Sequence, residues 1–288
     1  MRMDRREFLR AAAFGGASLS MASFGWEAIP PLNVRRVKLG VGAETPFSVL
    51  HISDSHISRI DSRDGASLYE FAKARSRKGR ELGEYYLDEA VHHARSKKLK
   101  IVHTGDFMEF MSEANLEYAS RRICTDDILA CVGNHEYWLD GDHRETEGYK
   151  RSTIPKLKES WRGLPTSSHI VNGVNFFVFD NAFETVTEEV SSAFEDVVKQ
   201  GAPVVLVCHV PLWAEACIHK KNLCGMPGSK KCDAVTSGFV ERVRREPLVK
   251  AILAGHVHRH LDFEFSAHAR ELVAGALFAG ECTEVEFV

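Results

Sequence analysis

Short apolar runs recur along this chain, and five of them stop abruptly at a glycine or an ionisable residue. Residues 47–53 end at Asp54, 99–104 at Gly105-Asp106 and 128–132 at Gly133-Asn134-His135; 203–208 end at His209 and 249–254 at Gly255-His256. Runs of this length bounded by turn residues read as buried strands. Helical spacing lies between them, at 81–98, 113–122, 154–161, 187–199 and 236–245; in the first, Leu82, Tyr85, Tyr86 and Ala90 share a face. Residues 34–39 alternate as an edge strand, and 169–179 form a hairpin around Asn172-Gly173. Strands at 261–265, 271–274 and 284–288 close the chain. Strands alternating with helices place it in the α/β class. The antiparallel character of the hairpin and the terminal strands points to a β-sandwich of two mixed sheets flanked by α-helices.

Composition narrows the function. A chain of 288 residues with 44% hydrophobic and 27% charged positions is long enough for one large domain with a substantial core. A net charge of -3 lacks the concentrated positive face of a duplex binder, so no nucleic acid is indicated. The basic stretches at 75–80, 95–100 and 242–245 are mixed with acidic or polar residues and read as solvated helix faces.

The N-terminus is a different kind of sequence. Arg5-Arg6 and Phe8-Leu9 precede an uncharged Ala-, Gly- and Ser-rich stretch at 11–25, the layout of a secretory signal. The paired arginines resemble a bacterial twin-arginine export signal. Residues 1–28 are therefore expected to be a signal peptide, with cleavage after Ala22 or nearby, and 29–288 the folded domain. The alternative is an amphipathic helix belonging to that domain. The apolar run is shorter than the ~20 residues that span a bilayer, so no permanent membrane span is expected. The export reading implies a periplasmic or otherwise extracytoplasmic location, with the twin-arginine machinery as a partner.

Seven cysteines are an odd number, so at least one has no partner within the chain. Cys208 ends an apolar run and reads as a buried small hydrophobe. Cys217, Cys224 and Cys232 share a polar loop, where an oxidising location favours one disulfide, Cys224 with Cys232 being the expected pair.

Asp54-Ser55-His56, Gly105-Asp106, Gly133-Asn134-His135-Glu136, Cys208-His209 and Gly255-His256-Val257-His258 all follow strands. In α/β sheets ligands collect beyond the carboxyl ends of strands, so these distant residues are expected to converge. Singly each motif has a bland explanation: Asp after Gly commonly forms a turn, and a His-x-His pair is often structural. Together they concentrate carboxylates, imidazoles and one amide oxygen, the donor set that suits Mn, Fe, Zn or Co.

This ordered set resembles the calcineurin-like metallophosphoesterase superfamily over residues 47–288. The resemblance implies a four-layer α/β/β/α fold with two metal ions (Mn, Fe or Zn) at one edge of the sandwich. One ion would be held by Asp54, His56, Asp106 and His258, the other by Asp106, Asn134, His209 and His256, with Asp106 bridging. His135 would contact the phosphate and protonate the leaving group, paired with Asp54. The implied reaction is hydrolysis of a small-molecule phosphate mono- or diester by in-line attack of a metal-bridging hydroxide.

Departures from the family's subgroups matter. Phe107-Met108-Glu109 follows Asp106, so the Tyr ligand of purple acid phosphatases, three positions after the Asp, is missing. The G-D-x-V-D-R-G run of protein Ser/Thr phosphatases is absent as well. Specificity would come from loops: 211–235, with Trp213, His219, Lys220, Lys221, Lys230 and Lys231, reads as a substrate lid or as a solvated insertion. Tyr137, Trp138, His143 and Arg144 form a second candidate rim. His51 is placed to support the site, whereas His92, His93, His103, His169, His260 and His268 read as structural or surface. The competing functions are a nucleotide or cyclic-nucleotide phosphodiesterase and, from another class, a metal-bound binding protein without catalysis.

Overall fold

Period-two alternation decides which face of each strand meets which layer, and β7 shows it most clearly. Val205 and Val207 point between two sheets, whereas Val204 and Leu206 point to the helices behind. The computed structural model describes residues 29–76, 81–138, 146–159, 161, 163–215 and 223–288. Residues 1–31 and 32–288 are separate units, and only 29–31 of the first are described. The expected signal peptide thus lies outside the described residues, as do Cys217, His219, Lys220, Lys221, His143 and Arg144. Among the described residues no helix is long and apolar enough to cross a membrane.

The elements run β1 (Asn33–Leu39), β2 (Phe47–Ile52), α1 (Ala66–Ser76), α2 (Gly83–Lys97), β3 (Lys100–Thr104), α3 (Glu113–Thr125), β4 (Ile128–Cys131), α4 (Glu147–Lys158), β5 (Thr166–Val171) and β6 (Val174–Phe179). Then come α5 (Glu188–Val198), β7 (Val204–Val207), α6 (Ala234–Arg245), β8 (Val249–Ala254), β9 (Leu261–Glu264), β10 (Arg270–Val273) and β11 (Glu281–Phe287). One sheet has the order β1-β11-β2-β3-β4 and the other β5-β6-β7-β8-β10-β9. Val49, Val102, Leu129, Val285 and Phe287 of the first pack against Val174, Phe176, Val205, Leu253 and Leu272 of the second. Behind the second sheet, Phe194 of α5 and Phe239 and Val243 of α6 cover Phe177, Phe179 and Leu206. On the outer face of the first, α2 packs on β2 and β3. This is the expected α/β/β/α arrangement.

Local signals account for most boundaries. Asn172 and Gly173 have φ of 48° and 77°, the two left-handed residues of a tight hairpin turn. Ser112, Thr187 and Asp233 cap their helices by accepting the N–H of Asn115, Val190 and Thr236. Helix α4 begins earlier than the spacing indicates: Thr146 caps it, and Pro155 sits inside rather than at the start. The terminal strands are antiparallel only in part, β9 with β10 and β11 with β2. β10 runs parallel to β8, and β11 lies parallel to β1 but antiparallel to β2. The expected Cys224–Cys232 disulfide is absent, both being free thiols. Cys224 is buried where it bridges Leu212, while Cys232 Sγ faces the Asp233 carbonyl at 3.9 Å.

Candidate metal centre

β2, β3 and β4 are parallel, as are β7 and β8, so the segments following them emerge at the carboxyl ends of their strands. Main-chain bonds lace these ends together. Asp54 N–H donates to Gly105 O at 3.0 Å, His56 N–H to Asp106 O at 3.0 Å, and Gly255 N–H to His209 O at 2.8 Å. Asp54, His56, Asp106, His256 and His258 all adopt positive φ, between 48° and 72°. Left-handed backbone costs a non-glycine residue about 1–2 kcal/mol, so five such residues at one place mark a conformation imposed for the sake of where the side chains point. Two glycines make room: a Cβ at Gly105 would lie 2.6 Å from His209 Nδ1, and one at Gly133 would lie 2.2 Å from Asp106 Oδ1.

The seven residues expected as ligands come from these five segments, and the structure groups six of them in two sets. Asp54, His56, Asp106 and His258 bring ligand atoms within 4.8 Å of one another, and so do Asp106, His209 and His256. Asp106 belongs to both sets. Its Oδ2 lies 3.3 Å from His209 Nε2 and 3.7 Å from His56 Nε2, while its Oδ1 accepts the His135 N–H at 3.0 Å. His258 Nε2 is 3.1 Å from both Asp54 Oδ1 and His56 Nε2, and His256 Nδ1 is 3.2 Å from His209 Nε2. The seventh residue, Asn134, sits between Gly133 and His135, both of which abut the Asp106 carboxylate.

This donor set fits divalent cations. Asp54 Oδ1 and Asn134 Oδ1 are buried acceptors that receive no aligned hydrogen bond, a condition proteins avoid unless another partner is intended. Nitrogens of neighbouring imidazoles also face one another at 3.1–3.2 Å, an arrangement a cation between them would relieve. Burial opposes charge on Asp54 and Asp106, but the surrounding imidazoles outweigh it and hold both carboxyls well below their usual range. Burial likewise opposes charge on His56 and His209. Their carboxylate neighbours prevail and raise them to about 9 and about 10. His135 is pushed down to about 3 by burial.

His135 differs from expectation in its partner. Its Nδ1 donates to the main-chain carbonyl of Glu109 at 2.8 Å, not to Asp54. A carbonyl only accepts, so Nδ1 carries the proton and Nε2 faces Asp106, at 3.8 Å. The Trp138 ring lies on His135 with centroids 3.6 Å apart, a contact consistent with the rim reading of Trp138. Tyr137 is not on a rim: it is fully buried, and its hydroxyl donates to Asp180 Oδ2 at 2.6 Å. Trp213 is already covered, with the Arg244 guanidinium 4.8 Å above its ring and bonded to its carbonyl. His51 Nε2 pairs with Thr104 Oγ1 at 3.0 Å, directly behind the site.

Two acids went without a role in the sequence reading. Glu136 is fully buried and accepts the N–H groups of Asp106, Met108 and Gly133, at 3.0, 3.0 and 2.5 Å, tying the end of β3 to the end of β4. Glu109 is buried behind His56, with Arg75 as its outer partner. Its signal is a single acid within the apolar run Phe107-Met108-Glu109-Phe110-Met111, since an acid buried among apolar neighbours needs a charged partner.

Two mixed sheets whose strand ends share a carboxylate- and imidazole-lined basin make a site that could hold metal ions. The model of the family described as calcineurin-like phosphoesterase matches residues 47–260, and the chain belongs to that family. It is a phosphoester hydrolase of a family that uses a dimetal centre. Among solved structures it is similar to a dimetal phosphatase from Danio rerio, at 12% identity and a TM-score of 0.52, covering 81% of this chain and 88% of that one. A putative 5'-nucleotidase from Staphylococcus aureus matches at 12% identity and a TM-score of 0.38, over 81% of this chain and 49% of its own. A purple acid phosphatase from yellow lupin matches at 11% identity and a TM-score of 0.45, over 82% and 44%. The chain thus spans less than half the length of these last two. No curated protein matches.

Proposed function

We propose that the chain is an exported, binuclear metal-dependent phosphoesterase acting on small phosphate mono- or diesters. The observation that carries the reading is the place of Asp106 in both ligand sets. Asp54, His56, Asp106 and His258 would hold one ion, and Asp106, Asn134, His209 and His256 the other. Two such ions lower the pKa of water and neutralise charge on phosphate oxygens. The chain's own contribution is orientation and a proton. Left-handed backbone aims the ligands inward, and Glu136 fixes the two strand ends that carry Asp106 and Asn134. His135 presents Nε2 to the basin, and a phosphate dianion beside it would favour the protonated ring and so a proton for the leaving oxygen. Trp138 beside it would form part of the substrate rim.

Metal analysis of the purified protein, with turnover of p-nitrophenyl phosphate and of its bis-ester after Mn reconstitution, tests this. Two ions per chain with hydrolysis of either ester are expected, and preference for the bis-ester would favour the nucleotide or cyclic-nucleotide phosphodiesterase reading. Equal inactivity of the wild type and His135→Ala, with every metal and ester tried, would favour a binding protein. Residues 1–28 are proposed as a twin-arginine signal directing the domain to the periplasm. Replacing Arg5 and Arg6 by Lys is then expected to retain the protein in the cytoplasm, as read by cell fractionation.

A further inference from the structure

Glu109 stands at the meeting point of two histidines that the proposed centre uses differently. Its side chain is buried, with Oε2 2.6 Å from His56 Nδ1 and the other oxygen paired with Arg75 of α1. The His56 contact is a close charge pair rather than an aligned hydrogen bond. The main-chain carbonyl of the same residue accepts from His135 Nδ1 at 2.8 Å. The two rings stand perpendicular with centroids 4.5 Å apart. Arg75 lies 5.1 Å from the Trp138 ring, and that ring lies on His135.

We propose that Glu109 is a positioning residue that fixes the tautomers of both histidines, serving His56 through its carboxylate and His135 through its carbonyl. The assignment rests on the binuclear reading above. The carbonyl accepts from His135 Nδ1 and so fixes the proton there, while the carboxylate 2.6 Å from His56 Nδ1 favours a proton on that nitrogen by its charge; both rings then leave Nε2 directed at the basin. For His56 that nitrogen is the one facing Asp54 and Asp106, each at 3.7 Å. A carboxylate behind an imidazole also makes the ring a stronger donor to a cation.

His56, Glu109 and His135 themselves bring ligand atoms within 4.8 Å of one another, which raises a third cation site as the rival explanation. The contacts argue against it. Arg75 already neutralises the carboxylate, and the His135 nitrogen on that side carries a proton toward a carbonyl, leaving no lone pair for a metal.

The two arms are separable, because a side-chain substitution removes one and leaves the other. Glu109→Gln in the full chain, titrated with Mn²⁺ by calorimetry from the metal-free state, is expected to weaken one of two ions by about 10–100-fold. The other ion should bind as in the wild type. The metal-free proteins should melt alike. At saturating Mn²⁺ the dependence of kcat on leaving-group pKa should be unchanged, since the carbonyl arm to His135 survives. Wild-type affinity for both ions in Glu109→Gln would overturn the assignment while leaving the binuclear centre standing. Equal weakening of both ions together with a lower metal-free Tm would mark a merely structural role and also overturn it. A wild type that binds fewer than two ions would overturn the centre and this assignment together. If Glu109→Gln does not fold, Arg75→Gln, which strips the carboxylate of its outer anchor, is expected to weaken the same single ion. Two unchanged affinities there would overturn the proposal.

Discussion

Asp106 Oδ2 and His209 Nε2 approach to 3.3 Å, although Asp106 follows a strand of one sheet and His209 a strand of the other. The proposed centre therefore straddles the sandwich, and any ion held by this pair ties the two layers together. Metal binding at the proposed centre would thus be thermodynamically coupled to sheet packing.

Stability should therefore depend on metal. An ion at 100 times its Kd that binds only the folded state adds about 2.7 kcal/mol. At about 2–4 °C per kcal/mol for a domain of this size, each ion should raise Tm by about 5–10 °C. Thermal melts of chelated and Mn-loaded protein check this, and superimposable curves would contradict it.

The space beside Asp106 gives a second test. A methyl group at Gly133 would sit 2.2 Å from Asp106 Oδ1 and must displace the shared carboxylate. Gly133→Ala is expected to weaken both ions together, whereas His258→Ala should weaken only one. Stoichiometry by elemental analysis distinguishes the patterns.

Proton donation by His135 predicts a leaving-group effect. His135→Ala should lower kcat about 10²–10⁴-fold for alkyl phosphates. For p-nitrophenyl phosphate, whose leaving group scarcely needs a proton, the loss should be much smaller. Equal losses for both would remove His135 as the acid.

A fourth test lies away from the centre. Glu271 is fully buried; its Oε1 accepts the Leu212 N–H at 2.8 Å and its Oε2 has no hydrogen-bond partner among the described residues. Burial pushes its pKa well above the ordinary value. The folded state thus keeps a proton that the unfolded chain releases. Its contribution is fully present below the ordinary glutamate range and is lost as pH rises toward the folded value, by about 1.4 kcal/mol per pH unit. Glu271→Gln should match the wild type near pH 4 and exceed it at pH 8 in denaturant melts. A wild-type slope in the variant would refute this.

What could be read from the sequence follows from locality. Strand ends, the Asn172-Gly173 turn and the motif residues are encoded by neighbours in the chain, so the layers and the convergence of Asp54, Asp106 and His209 were legible. Contacts across the fold were not. Nothing near Arg75 announces that it neutralises Glu109, and nothing near Trp213 announces that Arg244 covers its ring. Strand direction at β10 and β11 also depends on partners far away, so apolar alternation gave their antiparallel neighbours but not the parallel pairing with β8 and β1.

The position of β11 has a consequence for how the molecule comes into being. It lies between β1 and β2, and the turn just before it, at Leu277 and Phe278, donates main-chain N–H groups to Ser53 O and Asp54 O. A polypeptide lacking this strand and the turn before it leaves β2 with an open flank and removes one main-chain brace each from Ser53 and Asp54. A truncation that removes only 281–288 should therefore unpair the flank of β2 and disturb residues encoded more than two hundred codons earlier.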